Sequence, residues 1–105
     1  MSVCSVELPI DRQAALHLRP FQEIAERAAQ FQATVTISRG SKTGDAKSIF
    51  DMMELAAQKG PVTLEANGVD ASRAIRALSR IIRKAVRKAL KEERDAQRER
   101  GRGAV

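Results

Sequence analysis

The sequence contains no tryptophan and no tyrosine, and its aromatic residues amount to three phenylalanines. A surface that stacks bases or sugar rings has few platforms in such a chain. The single cysteine, Cys4, excludes an internal disulfide, and with only one histidine, His17, it cannot complete a Cys/His zinc site, so neither a metal nor another cofactor is expected. Apolar runs are short: none approaches the roughly 20 residues that cross a bilayer, and the opening MSVCSVELPIDR lacks the basic and apolar stretches of a secretory leader. These absences lead us to expect a cytoplasmic protein. At 105 residues the chain has material for one small core and little for a cleft between two domains.

The formal net charge of +6 is unevenly placed. Residues 1–72 carry 7 Lys and Arg against 9 Asp and Glu, a balance of −2, whereas residues 73–105 carry 12 against 4, a balance of +8. The basic character therefore belongs to the C-terminal segment, where it suits an anionic partner or a solvated helix face.

Cys4, Val6 and Leu8 alternate with Ser5 and Glu7, the period of a half-buried strand, and Pro9 ends it. From Pro20 to Gln32, Phe21, Ile24, Ala25, Ala28 and Ala29 fall at helical spacing, with Pro20 admissible in the first turn. Ala33, Val35 and Ile37 alternate as a second strand, Arg39-Gly40-Ser41 turns, and Lys42 to Ala46 makes a weak third strand. Ser48 with Asp51 three residues on is a helix-opening pattern ahead of Met52, Met53, Leu55 and Ala56, stopped by Gly60-Pro61. Val62, Leu64 and Ala66 form strand four, for which Asn67-Gly68 predicts the closing turn. From a candidate N-cap at Asp70, an apolar stripe runs through Ile75, Leu78, Ile82, Val86 and Leu90; the charged text beyond it predicts a frayed end. The order β-α-β-β-α-β-α predicts an α+β fold, an open-faced β-sandwich in which a four-stranded antiparallel sheet is covered on one face by three helices. Residues 1–87 form the expected domain, and 88–105 a basic extension of the last helix with a flexible tail.

His17 stands where the loop after strand one meets the first helix, in Leu16-His17-Leu18-Arg19-Pro20. Helix N-termini carry unpaired N–H groups and the positive end of the helix dipole, so an anion is favoured there. A neutral imidazole is a nucleophile, and a phosphoryl group taken onto its ring would gain charge beside amide donors, with Arg19 offering a planar fork. The same position also suits a plain surface histidine at a helix start.

Three pieces of the chain resemble the HPr family, the phosphocarriers of the bacterial phosphoenolpyruvate-dependent phosphotransferase system. They are Leu16-His17-x-Arg19-Pro20, like the family's phosphoacceptor motif; Ala46-Lys47-Ser48-Ile49-Phe50 followed by Met53 and Leu55, like its regulatory-serine segment; and Val62-Thr63-Leu64 through Asn67-Gly68 into the last helix. Their order and spacing match from Val3 to about Val86.

The resemblance implies that His17 accepts a phosphoryl group on Nδ1 from phosphorylated enzyme I and passes it to a histidine of a IIA-type domain or a regulator, in sugar uptake or its regulation. Arg19 would neutralise charge in the transfer. Such a protein is a carrier and co-substrate rather than an independent catalyst, since phosphoryl transfer is mostly positioning and electrostatics. It further implies that Leu18, Phe21, Ile49, Phe50 and Met53 form an exposed apolar patch for docking partners, and that Ser48 is open to a serine kinase and phosphorylase, besides its capping role. The chain departs from the family where Ala15, Asp51 and Ala56 replace glycines; Asp51 would set a carboxylate one turn from a phosphate on Ser48. The competing reading is a binding module for an anionic partner, nucleic acid or a charged surface, using Arg73 to Arg102. It ranks second, because stacking aromatics are scarce and Glu92, Glu93, Asp95 and Glu99 interrupt the basic run.

Overall fold

The computed structural model describes residues 2–10, 16 and 18–103, with side chains through residue 99. Its elements follow the expected order: β1 (Ser2–Leu8), α1 (Leu18–Ala28), β2 (Thr34–Arg39), β3 (Lys42–Asp45), α2 (Ile49–Ala56), β4 (Val62–Gly68) and α3 (Ala71–Gly103). The strands form one sheet in the order β1-β4-β2-β3, with every neighbouring pair antiparallel. The four-stranded antiparallel sheet with three helices is thus the observed fold.

The strand period sets the layers. Val35 and Ile37 of β2 and Val62, Leu64 and Ala66 of β4 are all buried, as are Phe21 and Ile24 of α1, Met52 and Leu55 of α2, and Leu78 and Ile82 of α3. Burying such side chains contributes about 1.5–3 kcal/mol each and accounts for the single core. In register, Ala66 faces Cys4 on one side and Val35 on the other, and Leu64 faces Val6 and Ile37.

Several boundaries differ from the sequence reading for identifiable reasons. α1 starts at Leu18 rather than Pro20 and ends at Ala28 rather than Gln32. Its last turn tightens, with Gln30 N–H donating to Arg27 C=O and Phe31 N–H to Ala28 C=O, which closes the helix early. Asn67-Gly68 is not a turn: both residues lie in β4, Gly68 paired with Ser2, and the chain turns at Val69 and Asp70. Gly68 is needed for proximity, since a Cβ there would lie 2.7 Å from Ala33 Cα. α3 runs past Leu90, where the apolar stripe stops, and its backbone stays helical to Gly103. The extension is dense in Lys, Glu, Arg, Ala and Gln, all good helix formers, and holds no proline.

Candidate functional site

α1 begins at Leu18, the residue that follows His17. His17 itself lies outside the described residues, as does Ala15. Its sequence neighbours Leu16, half-buried against the core, and Leu18, 36% exposed, bracket the position. The first turn of α1 offers backbone N–H groups that have no partner within the helix, though Pro20 supplies none.

Arg19 projects into solvent and lies 3.7 Å, Nε to Oε1, from Glu23 one turn on. This exposed pair is the one ion pair among the described residues and contributes little to stability. It leaves the rest of the guanidinium exposed to solvent. Arg19 and Glu23 also edge a groove of about 490 Å³ between the start of α1 and the middle of α3, floored by Leu16, Ile81 and Ala85, with Lys84, Lys88 and Glu92 on the far wall. Lys84 and Lys88 were missed in the sequence as neighbours of the histidine segment. Their i, i+4 spacing places them on one face of the last helix, but only the packing of α1 on α3 brings that face to Arg19.

Four of the five apolar residues expected to face a partner are exposed. Leu18 on α1 and Ile49 (42%), Phe50 (80%) and Met53 (49%) on α2 are exposed, and the two helices pack against each other. Phe21 is the exception: it is 1% exposed and belongs to the core. Three residues after Leu18, it turns inward with Ile24 and Ala25 on the buried face of α1, so it cannot serve a docking partner.

Ser48 caps α2, its Oγ accepting from Asp51 N–H at 3.2 Å. The reciprocal half of the capping pattern does not form. Asp51 Oδ2 instead accepts from Asp45 N–H at 2.8 Å, which ties the end of β3 to α2. Gly44 makes room for this contact, as a Cβ there would lie 2.7 Å from Asp51 Cβ. Asp70 likewise serves another element: its carboxylate accepts from Gln32 N–H at 2.9 Å and Ala33 N–H at 2.8 Å. The Gln32 hydrogen bond first, then those from Ala33 and its own N–H, hold the Asp70 carboxyl below the usual range against the opposing push of burial, with Arg73 adding to them.

Among the described residues no cluster of His, Cys, Asp and Glu could hold a metal ion, and no helix is long and apolar enough to cross a membrane.

Residues 4–84 match the family described as PTS HPr component phosphorylation site. The phosphocarrier protein HPr of Mycoplasma capricolum is 37% identical over 70 residues, covering 66% of this chain and 79% of its own length. That of Haemophilus influenzae is 32% identical over 79 residues, covering 74% of this chain and 93% of its own. Among solved structures, the histidine-containing phosphocarrier protein of a mycoplasma is 32% identical and superposes with a TM-score of 0.69, covering 79% of this chain and 97% of that one.

Proposed function

The chain belongs to the HPr family of the phosphotransferase system, and from that premise we propose that it carries a phosphoryl group on His17. The observation that supports it is that α1 starts on the next residue in sequence, so the histidine motif leads into the positive end of a helix. In the proposed transfer a ring nitrogen of His17, taken as Nδ1, attacks the phosphorus of a phosphohistidine on enzyme I. One N–P bond forms as the other breaks; the donor imidazole recovers its electron pair, and no redox change accompanies the step. The reverse chemistry then loads a histidine of a IIA-type domain.

Arg19 is exposed, beside the histidine in sequence, and free to fork onto phosphoryl oxygens while charge passes between the two rings. Leu18, Ile49, Phe50 and Met53 supply the apolar contact that holds a partner over the site. Ser48 acts first as a cap; as a phosphorylation site it would set a phosphate near Asp51, and the repulsion would loosen the start of α2. A carrier that exchanges with enzyme I and its acceptors works in the cytoplasm, and that is the compartment assigned to it in this proposal.

Incubation with phosphoenolpyruvate and enzyme I tests the proposal. An acid-labile, base-stable adduct on the chain is expected, and it must vanish in His17→Ala.

A further inference from the structure

Basic residues recur along one side of α3. Arg76, Arg80 and Arg83 lie on the half of the helix that packs on the sheet, and Arg87, Lys91, Arg94 and Arg98 continue the line at spacings of three and four. All are exposed. At about 100° per residue they fall within an arc of about 80°, over about 33 Å of helix. The arc is centred about 140° round the helix from the side that Leu78, Ile82 and Val86 turn to the core. Side chains packed on the core end at Leu90, while the helix continues to Gly103, about 20 Å further.

No acidic residue of α3 falls in this arc. Glu92, Glu93, Asp95 and Glu99 each lie about 80° or more from its centre. Arg73 begins the same line but sits by the Asp70 carboxylate, which it helps to hold ionised. Lys84 and Lys88 turn toward α1, where Glu23 and Glu92 share their groove. On the strands packed against α3, Glu7 and Glu65 are out of phase with the inward Val6 and Leu64 and face away from the helices; Arg39 points to the core, and on α1 Glu26 and Arg27 are exposed. Among the described residues the one ion pair, Arg19 with Glu23, includes no member of the line.

Like charges three and four residues apart on a helix repel, and every member of the line has such a neighbour. Acids set between them would relieve the repulsion, yet the four that the helix carries sit on its other sides. Helix stability and solvation therefore do not account for the arrangement, whereas an anionic surface outside the chain does. The line is straight and one-sided, so a planar array of negative charge meets it along its whole length. A groove of duplex nucleic acid would also press phosphates against the flank that carries Asp95, Glu99 and Glu92. The face holds no aromatic residue, and among the described residues no large apolar side chain of α3 is exposed, so the contact is one of charge with headgroups, without insertion or stacking.

We propose that this face of α3 docks the protein on an anionic lipid bilayer, with six arginines and Lys91 laid along the headgroup phosphates. The docking is additional to the carrier role and does not depend on His17.

Sedimentation of the full chain with vesicles tests the proposal. At about 150 mM salt the chain should bind vesicles of mixed phosphatidylglycerol and phosphatidylcholine, release them as salt rises, and ignore vesicles of phosphatidylcholine alone. The variant carrying Arg87→Gln, Lys91→Gln, Arg94→Gln and Arg98→Gln should bind about a hundredfold more weakly. The control carrying Lys42→Glu and Lys59→Glu lowers the formal net charge equally, from +6 to +2, and should stay within about threefold of the parent chain. Arg76→Gln, Arg80→Gln and Arg83→Gln together give the same comparison if the first variant does not fold. Equal loss in the variant and the control would show that net charge alone acts and overturns the docking face. Absence of binding to the anionic vesicles overturns it as well, as does tighter binding, at the same salt, of a DNA duplex or of polyglutamate than of the vesicles.

Discussion

The carboxylate of Asp70 is fastened to the backbone of Ala33, accepting its N–H at 2.8 Å across 37 residues of sequence. With the companion bond from Gln32, this joins the segment before β2 to the start of α3. Asp70→Ala should therefore lower the thermal midpoint while leaving the exposed apolar side chains of α1 and α2 in place, and Asp70→Asn should recover part of the loss. The pH dependence has a definite sign. The folded carboxyl sits below its ordinary pKa, so its contribution to stability is complete above about pH 4 and is lost as pH falls through the lower folded value. Acid unfolding of Asp70→Asn should be correspondingly less steep than that of the parent chain.

Gly68→Ala should be costly despite adding one methyl. The new Cβ would meet Ala33 Cα at 2.7 Å, a backbone contact that cannot swing aside. A loss of about 3 kcal/mol is expected from urea unfolding. A neutral result would show that the close approach of β4 to Ala33 is looser than described.

Ser48→Ala removes the acceptor for Asp51 N–H and should cost about 1 kcal/mol of stability. Asp51→Asn should leave the Ser48 cap intact and weaken only the tie to Asp45 N–H. Comparing the two unfolding curves separates the capping bond from the β3 contact.

Phe50, at 80% exposure, is the most exposed of the apolar side chains on α1 and α2. Phe50→Ala should change stability by less than about 0.5 kcal/mol. The same variant should raise the KM of enzyme I for this protein about tenfold, a loss of roughly 1.4 kcal/mol in docking.

The element order and most of the core were legible in the sequence because each face repeats with its own period: Val62, Leu64 and Ala66 by twos, Leu78, Ile82 and Val86 by fours. What escaped was long-range. Asn67-Gly68 has turn chemistry, yet Gly68 serves a close approach to Ala33 that no local pattern reveals. Asp70 looked like a cap for its own helix, but its carboxylate serves Gln32 and Ala33. Phe21 had to be assigned to one face of α1 or the other, and the helix phase set by Ile24 and Ala28 decides for the core. Arg39 has the turn chemistry of Arg39-Gly40-Ser41, although its parity with Val35 and Ile37 points it inward. Motif and spacing single out Leu18, Arg19, Ile49, Phe50 and Met53, and all five are exposed. The wall formed by Lys84 and Lys88 was not legible, because it depends on where α3 crosses α1.

The central claim is that a single imidazole carries the phosphoryl group. The most direct measurement is the mass and phosphorus NMR spectrum of the chain after exposure to phosphoenolpyruvate and enzyme I. The account predicts one added phosphoryl group, bonded to nitrogen at His17, stable in base and lost in acid, with none on the His17→Ala variant. A phosphoryl group that survives in that variant, or a parent chain that stays unmodified while a known carrier in the same mixture is loaded, would contradict it.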